Sequence, residues 1–199
     1  MRATDHLSPD AQGAPRPLCI VVTGPPCSGK SWVARHLSER LGLPLITKDT
    51  FKETLFDCLC DTQPLDDKAI NHAAYELLYA TLESLLCGGV SLVVESNFRP
   101  TRANLRLSEM FRQHGHAVRQ VHCKAPAEVL LGRFRRRWVA GQRHPGHADD
   151  GKIEAVATSL REQRYGPLDL PGPLVHLDTT DFGRVDLDTL DAQLFDPEP

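Results

Sequence analysis

No apolar run in this chain approaches the roughly 20 residues that span a bilayer, so no segment reads as a membrane helix. The opening stretch, MRATDHLSPDAQGAPRP, lacks the apolar core of a secretory signal. Its Pro, Ala, Ser and Asp content reads as a disordered tail over residues 1–16. Charge of one sign is missing too. The chain has 23 Lys and Arg against 26 Asp and Glu, a formal net charge of −3, which gives no general pull toward nucleic acid or an anionic membrane. Cys19, Cys27, Cys58, Cys60, Cys87 and Cys123 are present, but no Cys-x-x-Cys. A chain of 199 residues does not need staples, and the expectation is reduced thiols in a cytoplasmic protein. Cys58-x-Cys60 is expected to be a buried or half-exposed helical pair rather than a metal site. No internal repeat and no break in composition marks a second domain. What is there is one unit, residues 17–199, with 41% apolar residues and a mean hydropathy of −0.31, enough for a packed core.

The apolar residues follow two periods. LCIVVTG (18–24) is a short β-branched run bounded by Gly-Pro-Pro, the pattern of a buried strand. Val33, Leu37 and Leu41 then recur every four residues until Gly42, an amphipathic helix. Further strands are expected at 43–47, 90–96, 117–123 and 173–179, with helices between them and after the last. Such alternation predicts a three-layer α/β fold, a five-stranded parallel sheet with helices on both faces. Ligands of such sheets bind at the carboxyl ends of the strands, which directs attention to residues 24–31, 48–49, 95–97, 123–124 and 178–180.

GPPCSGKS, between the first strand and its helix, matches G-x-x-x-x-G-K-[ST]. Gly24 and Gly29 let the backbone curl so that the N–H groups of Pro26–Ser31 face a phosphate where an N–H exists, with Pro25, Pro26, Cys27 and Ser28 forming the arc. Lys30 is expected to reach the β- and γ-phosphates and the Ser31 hydroxyl to ligate Mg²⁺. A lysine in the first turn of a helix opposes the helix dipole, which argues against an ordinary turn.

With this loop, PLITKDTFKETLFD, LVVESNFRP, APAEVLLGRFRRRW and RHPGHADD, the chain resembles the P-loop small-molecule kinases, the group around shikimate, gluconate and adenylate kinases. It is most similar to the branch with zeta-toxin-like kinases, antibiotic phosphotransferases and polynucleotide 5′-kinases, over about residues 17–182. The resemblance implies ATP and Mg²⁺ as cofactors and a lid over about 133–151. It implies that Asp49 accepts the proton of the attacking hydroxyl; the residue also reads as a helix N-cap, with Glu53 in the first turn, and both can hold at once. Glu95 is open between orienting a Mg²⁺-bound water, holding the acceptor and plain capping. Lys52, Asn97 and Arg99 join Asp49 and Glu95 as the candidate acceptor set.

GRFRRRWVAGQRHPGH is the basic segment. Its helical wheel predicts Leu130, Leu131, Phe134 and Trp138 on the sheet, Arg133 and Arg137 together on one flank, and Arg136 in solvent. Arg137 and Arg143 are the candidate γ-phosphate contacts, and Arg133 a nucleotide contact. Pro145 and Gly146 break any helix between His144 and His147, so these read as lid or acceptor contacts rather than a zinc pair. Thr179 and Thr180 are placed beside the adenine by fold-level analogy. The expected activity is transfer of the γ-phosphoryl of ATP to a hydroxyl of a small molecule, such as an antibiotic, sugar or nucleoside. A polynucleotide 5′-hydroxyl kinase is one alternative, against which stand the acidic net charge and the lack of a basic or aromatic track. A nucleotide-binding regulatory or toxin-like module is the other.

Overall fold

The first strand, β1 (Leu18–Thr23), is buried at every position, as an unbroken apolar run requires of a strand covered on both faces. A computed structural model describes residues 16–60, 66–141, 143–147 and 152–195. The tail expected over 1–16 lies outside them except for Arg16, whose guanidinium donates to Gly115 O at 2.9 Å and His116 O at 3.2 Å. β1 is the centre of a five-stranded sheet with β2 (Leu45–Thr47), β3 (Leu92–Glu95), β4 (Ala117–Lys124) and β5 (Leu174–Asp178), in the order β2-β3-β1-β4-β5. All four pairings are parallel, so this is the three-layer P-loop fold expected from the alternating pattern.

The helices are α1 (Lys30–Leu41), α2 (Lys48–Leu59), α3 (Asp67–Cys87), α4 (Pro100–His114), α5 (Ala127–Val139), α6 (Ile153–Arg161) and α7 (Leu187–Phe195). Successive side chains of β1 point to opposite faces and enter separate cores. Cys19 and Val21 pack with Leu78, Leu82, Leu107 and Phe111 of α3 and α4. Leu18, Ile20 and Val22 pack with Val33, Leu37, Leu190 and Leu194 of α1 and α7. The remaining helices, α2, α5 and α6, gather at the carboxyl end of the sheet. There α2 packs on α3 and on a 3₁₀ turn, Pro145–His147, while α5 packs on α6.

Three sequence expectations are corrected. Leu130 and Phe134 of α5 are buried, but Trp138, in its last turn, is 51% exposed. Cys58 and Cys60 are both exposed on the last turn of α2 and its cap rather than buried or half-buried. The N-cap of α2 is Thr47, whose Oγ1 accepts from Thr50 N at 3.0 Å. Asp49, two residues further on, is therefore released from capping. No helix among the described residues is long and apolar enough to cross a membrane.

Candidate active site

The glycine loop closes against the next strand with no room for side chains at its ends. Gly24 has φ 145°, and a Cβ there would stand 2.3 Å from Cys123 O. Gly29, at φ 80°, would drive a Cβ into the Phe182 ring. Cys27 adopts the left-handed conformation at φ 65°, costly for a non-glycine residue and retained where the surrounding structure imposes it. Helix α1 starts at Lys30 with no side-chain cap and no acidic residue in its first turn. Its first N–H groups and the positive end of its dipole are left for an external anion.

Two carboxylates line a 380 Å³ cavity with this cradle. Glu95 ends β3 between β1 and β2, in register with Val22 on one side and Thr47 on the other. It is 3% exposed. Ser31 Oγ donates to Glu95 Oε2 at 2.9 Å, and Lys30 Nζ stands 3.8 Å from Oε1. Burial raises the Glu95 carboxyl above its ordinary value, with Lys30 opposing and Asp49 adding to the rise. The donor set of Ser31 hydroxyl and adjacent carboxylate suits Mg²⁺, a hard cation that takes oxygen ligands and keeps several waters. Asp49 follows β2 directly, since α2 begins with no intervening loop. Its Oδ1 is 2.8 Å from Lys48 Nζ and its Oδ2 3.7 Å from Arg143. Burial alone would raise this carboxyl, but the ammonium groups of Lys48, foremost, and Lys30 hold it well below the ordinary carboxylate range.

Arginines form the opposite wall. Arg133 gives its guanidinium to three carbonyls, Thr179 O at 2.6 Å, Thr180 O at 3.1 Å and Cys27 O at 3.4 Å, and lies 4.2 Å above the Phe182 ring. It thereby ties the glycine loop to the loop after β5. Arg137, one turn later, lines the cavity and buries its Nε without a hydrogen-bond partner. Arg143 donates to His147 Nδ1 at 2.9 Å, and His147 Nε2 meets Glu53 Oε1 at 2.8 Å. Accepting from Arg143 at Nδ1 places the imidazole proton on Nε2, which donates to Glu53. Burial, then Arg143, push the His147 ring below its ordinary pKa, in keeping with this neutral form.

Of the residues expected from the sequence, Pro26, Cys27, Gly29, Lys30, Ser31, Asp49, Lys52, Glu95, Asn97, Arg133, Arg137 and Arg143 line the one cavity, as does His147. Gly24, Pro25 and Ser28 shape the loop from behind it. Arg99 does not line the cavity; it sits at the N-cap position of α4 without a side-chain cap bond, and its guanidinium lies 5.5 Å from the ring centre of Tyr165, which does. Thr179 is fully buried, its Oγ1 reaching Ser28 O at 2.8 Å and its N–H donating to Lys124 O, while Thr180 N–H donates to Asp178. These groups are engaged within the protein. Residues 142 and 148–151 of the expected lid lie outside the described residues. Lys48, at one of the strand ends the sequence pointed to, lines the cavity as well, as do Phe134, expected on the sheet, and Lys152, Val156, Tyr165 and Phe182, which were not among the expected site residues. Lys152, Val156 and Tyr165, on and around α6, and Phe182, on the turn after β5, belong to no motif, and only tertiary packing brings them in.

A central parallel strand running into a glycine loop, with the Lys-Ser pair beneath a buried carboxylate, defines the P-loop nucleotide-binding class. The profile of a family described as an AAA domain matches residues 19–163, and the chain belongs to that family. A protein from Chloroflexus aurantiacus, titled provisionally as a kinase, is 35% identical, with a TM-score of 0.78 over 88% of this chain and 95% of that one. A sugar kinase from Janibacter sp. is 20% identical, with a TM-score of 0.55 over 93% of this chain and 97% of that one. A gluconokinase from Sinorhizobium meliloti is 19% identical, with a TM-score of 0.53 over 91% of each. These last two show a kinase-like fold. No curated protein matches the chain.

Proposed function

We propose that the protein is an ATP- and Mg²⁺-dependent kinase that phosphorylates a hydroxyl of a small molecule. The observation that carries this is Asp49, a carboxylate freed from capping, held ionised, and lining one cavity with the phosphate cradle. In this reading Lys30 and the loop N–H groups hold the triphosphate. Ser31 and Glu95 would hold the metal, Glu95 through water, and the metal when bound offsets phosphate charge. The acceptor oxygen bonds to the γ-phosphorus, the bond from that phosphorus to the β–γ bridging oxygen breaks, ADP leaves, and the hydroxyl proton passes to Asp49. Phosphate charge arriving opposite Asp49 counters the cations that depress its pKa and makes it a better base. Arg137 and Arg143 meet the charge of the moving phosphoryl group. Arg133, bound to the loop carbonyls and stacked on Phe182, builds the floor of the nucleotide end.

The test is a Mg²⁺ titration of rate, with slow ATP hydrolysis standing in until an acceptor is known. Asp49→Asn should lower kcat by about 10²–10⁴-fold, the usual contribution of general base catalysis, with the Mg²⁺ requirement unmoved. Glu95→Gln should raise the Mg²⁺ needed for half-maximal rate. A shifted requirement in Asp49→Asn and none in Glu95→Gln would reverse the two assignments. Wild-type protein that binds no ATP analogue would remove the kinase reading.

A further inference from the structure

Among the described residues, the wall of the cavity around Asp49 carries more positive charge than its own carboxylates neutralise. Lys48 and Lys52 stand one turn apart on α2, 6% and 3% exposed, and both line the cavity. Lys52 Nζ donates to Asp67 Oδ1 at 2.6 Å. The other oxygen of the same carboxylate, Oδ2, accepts from Lys152 Nζ at 2.9 Å, and Lys152 also lines the cavity. One carboxylate thus serves two ammonium groups, and it stands behind them, outside the cavity lining. Among the described residues, the other carboxylates nearby are engaged: Asp49 lies between Lys48 and Arg143, and Glu53 accepts from His147. The triphosphate would answer Lys30 and Arg137 beside the glycine loop, whereas Lys52 and Lys152 meet each other on Asp67.

Burying an ammonium without a full counter-charge is expensive, and the cost is recovered when an anion takes the vacant donors. Lys52 has three N–H donors, of which one goes to Asp67. Burial, with Lys48 and Lys152 adding repulsion against the pull of Asp67, moves the Lys52 pKa below its ordinary value, the direction for a cation short of anionic partners. We propose that the phosphoryl acceptor carries its own anionic group, a carboxylate or a phosphate, which docks on Lys52 and Lys152 while its hydroxyl meets Asp49. Asp49 and Lys52 are separated by one helical turn, about 5 Å along the axis, a distance spanned within one short carbon skeleton. The acceptor is therefore a small hydroxy acid or hydroxy phosphate rather than a neutral sugar or polyol. Asn97 and Tyr165, which also line the cavity, offer hydrogen bonds to further hydroxyls. The transfer leaves this anionic group untouched, and the product gains a second one.

This inference rests on the kinase reading, and the experiment separates the two. ADP formation is measured with Mg²⁺–ATP and three sets of acceptors matched in carbon number: neutral polyols, hydroxy acids and hydroxy phosphates. The expected result is a kcat/KM for at least one anionic set ten-fold or more above its neutral counterparts. Preference between the two anionic sets tells carboxylate from phosphate. Lys52→Met should then raise the KM of the anionic acceptor by about 10–100-fold, the loss of one charge-assisted hydrogen bond, and change kcat less. Folding of the variant is checked by its thermal response to a non-hydrolysable ATP analogue. Lys152→Met, at a more exposed position, carries the same test where Lys52→Met does not fold. Turnover confined to neutral acceptors, or to no anionic acceptor at all, overturns the inference and leaves the kinase reading in place wherever ATP is bound. An unchanged KM in both lysine variants overturns it as well.

Discussion

Arg133 and Arg137 lie four residues apart on α5, one spending its guanidinium on three backbone carbonyls and the other burying its Nε with no partner. An unpaired arginine nitrogen at a cavity wall awaits an anion, because a buried donor left unsatisfied costs about 1–3 kcal/mol. Arg137→Ala should therefore lower kcat by about 10²–10³-fold, the range for removal of one donor to developing charge. ATP-analogue affinity and Tm should stay close to wild type, measured by calorimetry and thermal melting. Arg133→Ala should do the reverse of this pattern in part. It leaves three carbonyls without their donor, so Tm should fall by roughly 2–6 °C and analogue binding should weaken. Equal melting temperatures for the two variants would deny the difference drawn between them.

At the scale of elements, the cradle depends on strands that lie far from it in the chain. Thr179, just past β5, reaches Ser28 O through its hydroxyl and Lys124 O through its N–H, at 2.8 Å each. Thr179→Val keeps the volume and removes the hydroxyl. It should cost about 1–3 kcal/mol and raise the KM for ATP, because the floor of the loop loses a fixed point. A melt and an ATP titration check both, and an unchanged KM would mean the loop holds its shape without β5. The elements were largely readable in advance, since each strand is a short β-branched run and each helix a four-residue recurrence ended by glycine or a change of pattern. The cap of α2 and the fate of Trp138 were not. Thr47 and Asp49 both fit a capping position by residue type, and only the backbone of β2 running straight into α2 decides between them. Trp138 falls on the apolar stripe of α5, but whether a neighbour extends far enough to cover it is a tertiary fact. The glycine loop, Asp49, Glu95 and the arginines announced themselves by motif, whereas Lys152 and Tyr165 entered only by packing. The one-to-two balance of Asp67 with its lysines is likewise invisible until residues 52, 67 and 152 meet.

Across the whole molecule, buried histidines set the acid limit of stability. Burial lowers the pKa of His116, His122 and His147 from the ordinary 6.5. His122 binds Tyr165 O through Nε2 and buries Nδ1 without a partner, so a second ring proton finds no acceptor. Below pH 6.5 the unfolded chain takes up protons that the folded chain refuses, so stability falls as pH falls. Glu95 and Asp191, whose pKa values are raised, act with the opposite sign at lower pH. Asp49 and Asp67, lowered, add a further loss below the ordinary 3.8. Tm should be level above pH 7 and decline from about pH 6.5 downward, before the carboxylates titrate. His122→Asn should reduce the slope between pH 6.5 and 5.5. A level Tm from pH 8 to 5 would contradict the assignment.

The strand order also has a consequence in time. β1 is made first but is flanked by β3 and β4, whose partner residues lie far along the chain: Cys19 pairs with Leu92, and Leu18 with Ala117. At about 5–20 residues per second of synthesis, the most apolar strand waits roughly 5–20 s on the ribosome for its second neighbour. Until β3 is made both edges of LCIVVT are open, and one stays open until β4 follows. Newly made chains of this protein should therefore engage a holding chaperone through residues 18–23, and release should follow once β4 has left the exit tunnel.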